Sequence, residues 1–180
     1  MPINFNLKEI REQYKIKIFF ETGFFYGASV NHAMEAGFEK MYSIEIASYF
    51  YGLGYINFKH QLNSKFLNLI KDDSQNIYDH IKNINEPILF WLDAHADQPS
   101  DIEKGEHLCP LLKELDGIKN HEIKNHVILI DDVRILRKDC WGEKNLDIDK
   151  IKEKILSINP DYKFKYLNGY VKDDVLMAYI

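Results

Sequence analysis

Short apolar runs alternate along the chain with longer segments whose apolar residues recur every three or four positions. Ile88 to Leu92 and Val127 to Ile130 are apolar at every position, which is typical of parallel strands buried on both faces. Leu111, Leu115 and Ile118 instead follow helical spacing. These patterns predict strands at 16–20, 41–45, 66–70, 88–92 and 127–130. They predict helices at 7–14, 28–37, 48–55, 76–84, 110–118 and 148–158.

Five strands, each followed by a helix, predict an α/β fold with a doubly wound, mostly parallel sheet and helices on both faces. Segments 162–167 and 174–180 can pair as an antiparallel hairpin across Asn168-Gly169, giving about seven strands in all. No repeat or linker divides the sequence, so residues 1–180 are expected to form one domain. The apolar last segment, Val175 to Ile180, suits an inner strand or an interface strand, so the oligomeric state stays open and a homodimer is one option.

Composition excludes several classes of protein. The 180 residues carry a net charge of −5 and contain no block of basic residues, which disfavours a nucleic-acid partner. No apolar run approaches the roughly 18 residues of a membrane span. The chain has two cysteines, Cys109 and Cys140, outside any CxxC pair. This usage predicts a reduced, cytoplasmic setting and excludes a cysteine-rich zinc site.

Acidic residues follow the predicted strands where those strands end. In sheets of this class, ligands bind beyond the carboxyl ends of the strands, near the switch in strand order. Acids that only cap the following helices also occur there, but so regular a coincidence favours a ligand site at this edge. The acids concerned are Glu21, Glu45, Asp73, Asp93, Asp131 and Asp132.

The turn after the first strand is the best candidate for binding a cofactor. Its glycines permit positive φ angles and let a ligand approach the backbone closely. The start of the next helix favours a negative group such as a carboxylate. The glycine spacing is not the GxGxxG of dinucleotide binders, so NAD is the weaker candidate. The residues assigned to this turn are Glu21, Thr22, Gly23, Gly27 and Ser29.

Polar residues at the next two strand ends suit an adenosyl group. Glu45, 22 residues after Gly23, can accept hydrogen bonds from both ribose hydroxyls. Asp73 and Ser74 follow the third strand, where an adenine amino group could be recognised. Taken with the glycine turn, these residues narrow the ligand from any nucleotide to an adenosyl compound.

The glycine turn has the form E-x-G-x-x-x-G-x-S, and with the segments 90–95 and 128–132 the sequence resembles the class I S-adenosylmethionine (SAM)-dependent methyltransferases. The resemblance runs from about Ile18 to Arg134 and is closest to small-molecule O-methyltransferases. It implies a Rossmann-like fold in which Glu21 and Gly23 face the methionine part of SAM and Glu45 holds the ribose. The third-strand motif departs from the pattern, because Asp72 stands where related sequences often have glycine.

Asp93, Asp131 and Asp132 follow two strands that should be neighbours. Converging carboxylates repel one another unless a cation or protons compensate, and oxygen ligands suit Mg²⁺ or a similar ion. In metal-dependent sugar and catechol O-methyltransferases, an acid after strand four and an acidic pair after strand five hold such an ion. This resemblance implies the same role for Asp93, Asp131 and Asp132. The structural alternative is that Asp93 caps a turn and Asp132 pairs with Arg134.

His95, two residues past Asp93, is the best candidate general base, since an imidazole with a near-neutral pKa can take a hydroxyl proton. Asp93 would support the same chemistry. Metal ligation and a loop histidine bonded to backbone are the alternatives for His95. The polar loop 96–108 is long for a compact domain and is expected to border the substrate.

The leading hypothesis is methyl transfer from SAM to a hydroxyl of a small polar acceptor, such as a sugar or a nucleotide-sugar, with a divalent metal as a candidate cofactor. A second hypothesis is a non-catalytic SAM-binding module that serves as a scaffold or binding subunit. A nucleotide-sugar or NAD-binding enzyme is a third, which the glycine spacing disfavours.

Overall fold

A computed structural model describes residues 3–95, 109–137 and 146–180 of the chain. The strands, in chain order, are β1 (Ile18–Thr22), β2 (Lys40–Glu45), β3 (Leu67–Lys71), β4 (Ile88–Leu92), β5 (Val127–Ile130), β6 (Lys163–Leu167) and β7 (Val175–Tyr179). They form one sheet in the order β3-β2-β1-β4-β5-β7-β6.

Helices connect the strands of this sheet. In the described part of the chain they are α1 (Leu7–Gln13), α2 (Ala28–Ala36), α3 (Ser48–Asn57), α4 (Lys59–Asn63), α5 (Ile77–Ile81), α6 (Leu111–Asn120), α7 (Val133–Leu136) and α8 (Ile148–Leu156), with a 3₁₀ turn at Ser74–Asn76. None of these helices has the length and apolar character that crossing a lipid bilayer requires.

The switch in strand order lies between β1 and β4. β1 pairs in parallel with β2 on one side and with β4 on the other. β3 continues the sheet beyond β2, and β5 continues it beyond β4. Such a switch opens a crevice at the carboxyl ends of the strands. The acids at the carboxyl ends of β1, β2, β4 and β5 therefore come to one edge of the sheet.

Both faces of the sheet are covered, which accounts for the unbroken apolar runs. Along β1, Ile18 and Phe20 belong to one buried core and Phe19 to the other, because successive side chains of a strand point to opposite faces. Helices α1 and α2 contribute to the core around Phe19. Helices α5, α6 and α8 contribute to the core around Phe20. The predicted doubly wound fold is confirmed.

The C-terminal hairpin is also confirmed, since β6 and β7 pair antiparallel. β7 lies between β5 and β6, so the apolar last strand is an inner strand of this sheet. Helices α4 and α7 were not predicted from the sequence, because they are too short to show an apolar period. The helix predicted at 76–84 is shorter, because the 3₁₀ turn takes up its first residue and α5 ends at Ile81.

Two buried histidines form a hydrogen-bonded chain at the opposite end of β4 from the acids. The backbone N–H of Ile88 donates to Nδ1 of His126 at 3.0 Å. Nε2 of His126 lies 3.0 Å from Nδ1 of His121, whose Nε2 lies 2.8 Å from the carbonyl oxygen of Ile84. Because Nδ1 of His126 accepts, a neutral His126 carries its proton on Nε2 and donates to His121. The chain is fully satisfied only while both rings are neutral.

This arrangement predicts a pH-dependent contribution to stability. Burial, then the neighbouring His121, lowers the pKa of His126 to about 3, against about 6.5 in the unfolded chain. Below pH 6.5, His126 therefore binds a proton in the unfolded state but not in the folded state. The free energy of unfolding decreases as the pH falls. We expect wild type to lose about 2 kcal/mol between pH 7 and pH 5 relative to the non-titrating variant His126→Gln.

Urea unfolding of both proteins at the two pH values measures this difference. Only the difference in unfolding free energy between wild type and variant is informative. Buried Glu21 and Glu114 have raised pKa values, so they stabilise the folded protein as the pH falls and oppose the effect of His126. Those carboxyls are common to both proteins and cancel. A gap between wild type and variant that does not change with pH would contradict the lowered pKa of His126.

Candidate functional site

The turn after β1 brings its backbone against the end of β4. Gly23 has φ +85°, and its N–H donates to the carbonyl oxygen of Ile44 at 3.0 Å. A Cβ at this position would lie 3.0 Å from the carbonyl oxygen of Asp93 and 3.3 Å from Cα of Ala94. Gly27 has φ +76° and precedes α2, and a Cβ there would collide with the ring of Phe24. Both predicted glycines are thus required by geometry.

Glu21 supports this turn from beneath. Its side chain is fully buried and accepts hydrogen bonds from the hydroxyls of Ser29 and Ser43. Burial raises the pKa of Glu21 to about 8, although both hydroxyls act to lower it. Glu21 and Ser29, predicted separately as cofactor residues, are therefore partners that tie the end of β1 to the first turn of α2.

Glu45 orders the two loops on either side of it. One carboxylate oxygen accepts the backbone N–H of Phe25 at 2.9 Å, and the other accepts that of Ala47 at 2.6 Å. Phe25 belongs to the glycine turn, so Glu45 links the loop after β1 to the loop after β2. A carboxylate oxygen has two lone pairs, and each oxygen of Glu45 retains capacity for a further donor such as a ribose hydroxyl.

The turn after β3 is fixed by its own polar side chains. Asp73 caps the 3₁₀ turn, accepting the backbone N–H of Gln75 at 3.0 Å. Asp72, the departure from the expected glycine, lies 2.7 Å from Nε2 of His80. Burial by itself would raise the pKa of Asp72, but the bonds from His80 and Asn76 hold it below its usual value. Ser74 is buried, so it can offer a ligand its backbone more readily than its side chain.

The ends of β4 and β5 bring the predicted acids and His95 together. Nε2 of His95 lies 3.0 Å from Oδ2 of Asp132, and its Nδ1 lies 3.6 Å from Oδ1 of Asp93. Asp132 has φ +59° and begins α7. The carboxylate of Asp131 accepts the backbone N–H of Asp132 at 2.8 Å. His95 thus lies between carboxylates from two neighbouring strands.

The surroundings of these acids shift their pKa values in opposite directions. Burial raises the pKa of Asp93. Burial, followed by the charges of Asp93 and Asp132, raises the pKa of Asp131 to about 7. Burial alone would also raise the pKa of Asp132, but the contact with His95 and the charge of Arg134 keep it below its usual range. Asp132 is therefore the ionised partner of His95.

Arg134 neutralises part of this acidic cluster. Its guanidinium forms ion pairs with Asp132 and with the fully buried Asp174. The backbone N–H of Arg134 also donates to Asp174 at 2.9 Å. The alternative pairing of Asp132 with Arg134 therefore exists in the structure, and it coexists with the contact to His95.

Two groups of donor atoms in the described residues could hold a metal ion. One is Asp93, His95 and Asp132, and the other is Asp131, Asp132 and Asp174, with the donor atoms of each group within 4.8 Å of one another. The predicted set of Asp93, Asp131 and Asp132 is divided between them, with Asp132 common to both. Arg134 already pairs with two members of the second group, which makes the first group the more available one.

Two acids of the site were not recognised from the sequence. Glu114 is 1% exposed and lines a small cavity with Asp93, His95 and Asp131; its signal was an acid on the apolar face of a predicted helix. Asp174 directly precedes the last apolar strand. The loop 96–108, expected to border the substrate, lies outside the described residues.

Comparison with known proteins supports the fold. No protein-family model and no curated protein matches the chain. An O-methyltransferase from Bacillus cereus in complex with S-adenosylhomocysteine (SAH) has a TM-score of 0.69 and 13% identity, over 97% of this chain and 78% of that one. The O-methyltransferase TomG from Streptomyces achromogenes, in complex with SAM, has a TM-score of 0.67 and 11% identity, over 97% and 77%.

A third similar structure matches over nearly its whole length. SMU.1697c from Streptococcus mutans, in complex with SAH, has a TM-score of 0.58 and 14% identity, over 98% of both chains. The chain described here therefore has the Rossmann-like fold of SAM-dependent methyltransferases, and a protein of equal extent with this fold binds SAH.

Proposed function

We propose that the chain is a SAM-dependent O-methyltransferase that acts on a hydroxyl of a small polar acceptor, with sugars and nucleotide-sugars as the first class to test. The observation that carries the proposal is the contact between its two half-sites. A Cβ on Gly23 would lie 3.0 Å from the backbone oxygen of Asp93, so the cofactor turn adjoins the strand end that bears Asp93 and His95. Similar folds bind SAM or SAH.

The residues of the first half-site fit the adenosyl cofactor. Gly23 leaves the backbone of the turn open to close approach, and the carboxylate of Glu45 can accept from ribose hydroxyls. We assign recognition of the adenine to the turn at Asp73 and Ser74. Glu21 is buried beneath these groups, and we assign it to holding the turn in shape.

The second half-site can activate a hydroxyl. When bound, SAM supplies an electrophilic methyl group, whose transfer needs mainly in-line positioning and a deprotonated acceptor oxygen. Asp132 lies 3.0 Å from Nε2 of His95, and this contact places the proton of a neutral imidazole on Nε2. Nδ1 is then the basic nitrogen, and we assign to it the removal of the hydroxyl proton.

A divalent metal fits the donor group of Asp93, His95 and Asp132, and we propose that the carboxylates of Asp93 and Asp132 hold it beside Asp131. The donor chemistry supports this, because the raised pKa of Asp131 reflects burial and like charges that a cation would compensate. The ion would lower the pKa of a bound hydroxyl.

The small number of cysteines bears on the cellular location. The sequence has two cysteines, which favours a reducing compartment, and we propose that this compartment is the cytoplasm.

Calorimetry and a turnover screen test this function. We expect wild type to bind SAH with a Kd in the micromolar range, about −8 kcal/mol, and not to bind NAD. We expect methyl transfer to hydroxylated acceptors, reduced by EDTA and restored by Mg²⁺. Absence of SAH binding would refute the proposal. Binding of SAH without transfer to any acceptor would favour the scaffold module, and turnover indifferent to EDTA would remove the metal.

A further inference from the structure

Helix α6 packs closely against the first turn of α5, which follows the 3₁₀ turn after β3. A Cβ on Gly117 would overlap Cγ2 of Ile77 and lie 3.2 Å from the backbone nitrogen of Tyr78. Any other residue at 117 would hold the helix away. This contact brings the preceding turn of α6, which bears Glu114, against the strand ends.

Glu114 lies buried where three strand ends meet. Its carboxyl group lies beside the hydroxyls of Ser74, after β3, and of Thr22, at the end of β1, and both contacts act to lower its pKa. The hydroxyl of Thr22 in turn accepts the backbone N–H of Asp93, after β4, at 3.4 Å. Glu114 is 1% exposed, and in the described part of the chain its buried Oε1 has no hydrogen-bond partner.

Burying a carboxyl group under an apolar helix face costs free energy unless every polar atom is paired. Leu115 and Ile118 on the same face pack in the core. An apolar residue at position 114 would therefore give a more stable fold than the acid does. Packing therefore does not explain why an acid occupies position 114. The contacts of Glu114 with Thr22 and Ser74, both flanked by proposed cofactor residues, supply the reason.

We propose that Glu114 is a positioning residue that fixes the adenosyl part of the cofactor site, acting through the hydroxyls of Thr22 and Ser74. The inference rests on the proposed function. Thr22 lies between Glu21 and Gly23, and Ser74 follows Asp73, so one buried side chain sets the spacing between the glycine turn and the adenine turn.

The shape of the Glu114 side chain selects the informative variants. An amide has the shape of a carboxyl group and can bond both hydroxyls, so Glu114→Gln should keep both hydroxyl contacts. Glu114→Leu has similar size and removes the carboxyl group that the two hydroxyls share. Asp116→Asn, on the same helix and paired with Lys154 near the surface, is the matched control.

We expect Glu114→Leu to raise the Kd for SAH and the KM for SAM at least about tenfold, with kcat at saturating SAM changed less than about threefold. Glu114→Gln and Asp116→Asn should stay within about threefold of wild type in all three. Wild-type binding of SAH tests the proposed function separately. Unchanged SAH affinity in folded Glu114→Leu, or a loss confined to kcat, would overturn the inference.

If Glu114→Leu does not fold, the hydroxyls can be removed instead. Ser74→Ala and Thr22→Val should each raise the KM for SAM while thermal unfolding stays cooperative. Their effects should be less than additive in the double variant, because both act through one carboxyl. Wild-type KM in both single variants would equally overturn the inference.

Discussion

Replacing His95 by glutamine should lower kcat by about 10²- to 10⁴-fold, the usual contribution of a general base. The reason is geometric. Asp132 lies 3.0 Å from Nε2 of His95 and is ionised, which leaves Nδ1 as the nitrogen that can take a proton. Glutamine can keep a hydrogen bond to Asp132 but has no basic nitrogen. Steady-state kinetics at saturating SAM measures the effect.

Binding measurements on the same variant distinguish a base from a metal ligand. His95→Gln should bind SAH within about threefold of wild type, and Mg²⁺ likewise, if His95 acts only on the acceptor proton. His60→Gln, on the exposed surface of α4, is the matched control and should leave kcat unchanged. A marked loss of Mg²⁺ affinity in His95→Gln would reassign His95 to the donor group that it forms with Asp93 and Asp132.

Replacing Gly23 by alanine should weaken SAH binding and lower kcat by about 10²-fold each. Its φ of +85° costs an L-residue about 1–2 kcal/mol. The added Cβ would also press on the backbone oxygen of Asp93 at 3.0 Å, and backbone atoms cannot rotate away. The end of β4 must then move, and Asp93 and His95 move with it relative to the cofactor turn. Calorimetry with SAH and steady-state kinetics measure the two losses.

Two other glycines serve as controls. They distinguish the effect of a positive φ from the effect of the close contact with Asp93 on SAH binding. Gly37 has a similar φ of +80°, but its Cβ would meet only the Arg11 guanidinium at 3.9 Å, so Gly37→Ala should cost stability without affecting SAH binding. Gly52 has open space around it, and Gly52→Ala in helix α3 should stabilise by roughly 0.5–1 kcal/mol. If Gly37→Ala weakened SAH binding as much as Gly23→Ala, the close contact with Asp93 would not be the cause.

The pattern of apolar residues predicted the strands of the sheet, because burial of a strand determines which of its positions must be apolar. Strands buried on both faces must be apolar throughout, and Ile88 to Leu92 shows this pattern. Helices α4 and α7 were not predicted, because five and four residues are too few to show an apolar period. The role of Glu114 was not predicted for a different reason. An acid on the inner face of α6 contradicts the helical pattern, and only the partners Thr22 and Ser74, distant in sequence, explain it.

The sequence by itself determined the doubly wound class and most of the acids that reach the carboxyl edge of the sheet, where we propose that the ligand binds. Local spacing is sufficient for this, since a strand end and the polar residue after it are neighbours in the chain. Tertiary structure alone decided which of those residues are bonded to one another inside the protein. It buried Glu21 with Ser29 and Ser43, and it placed His95 between Asp93 and Asp132. These contacts join residues from different strands, and their distances depend on how the whole sheet packs.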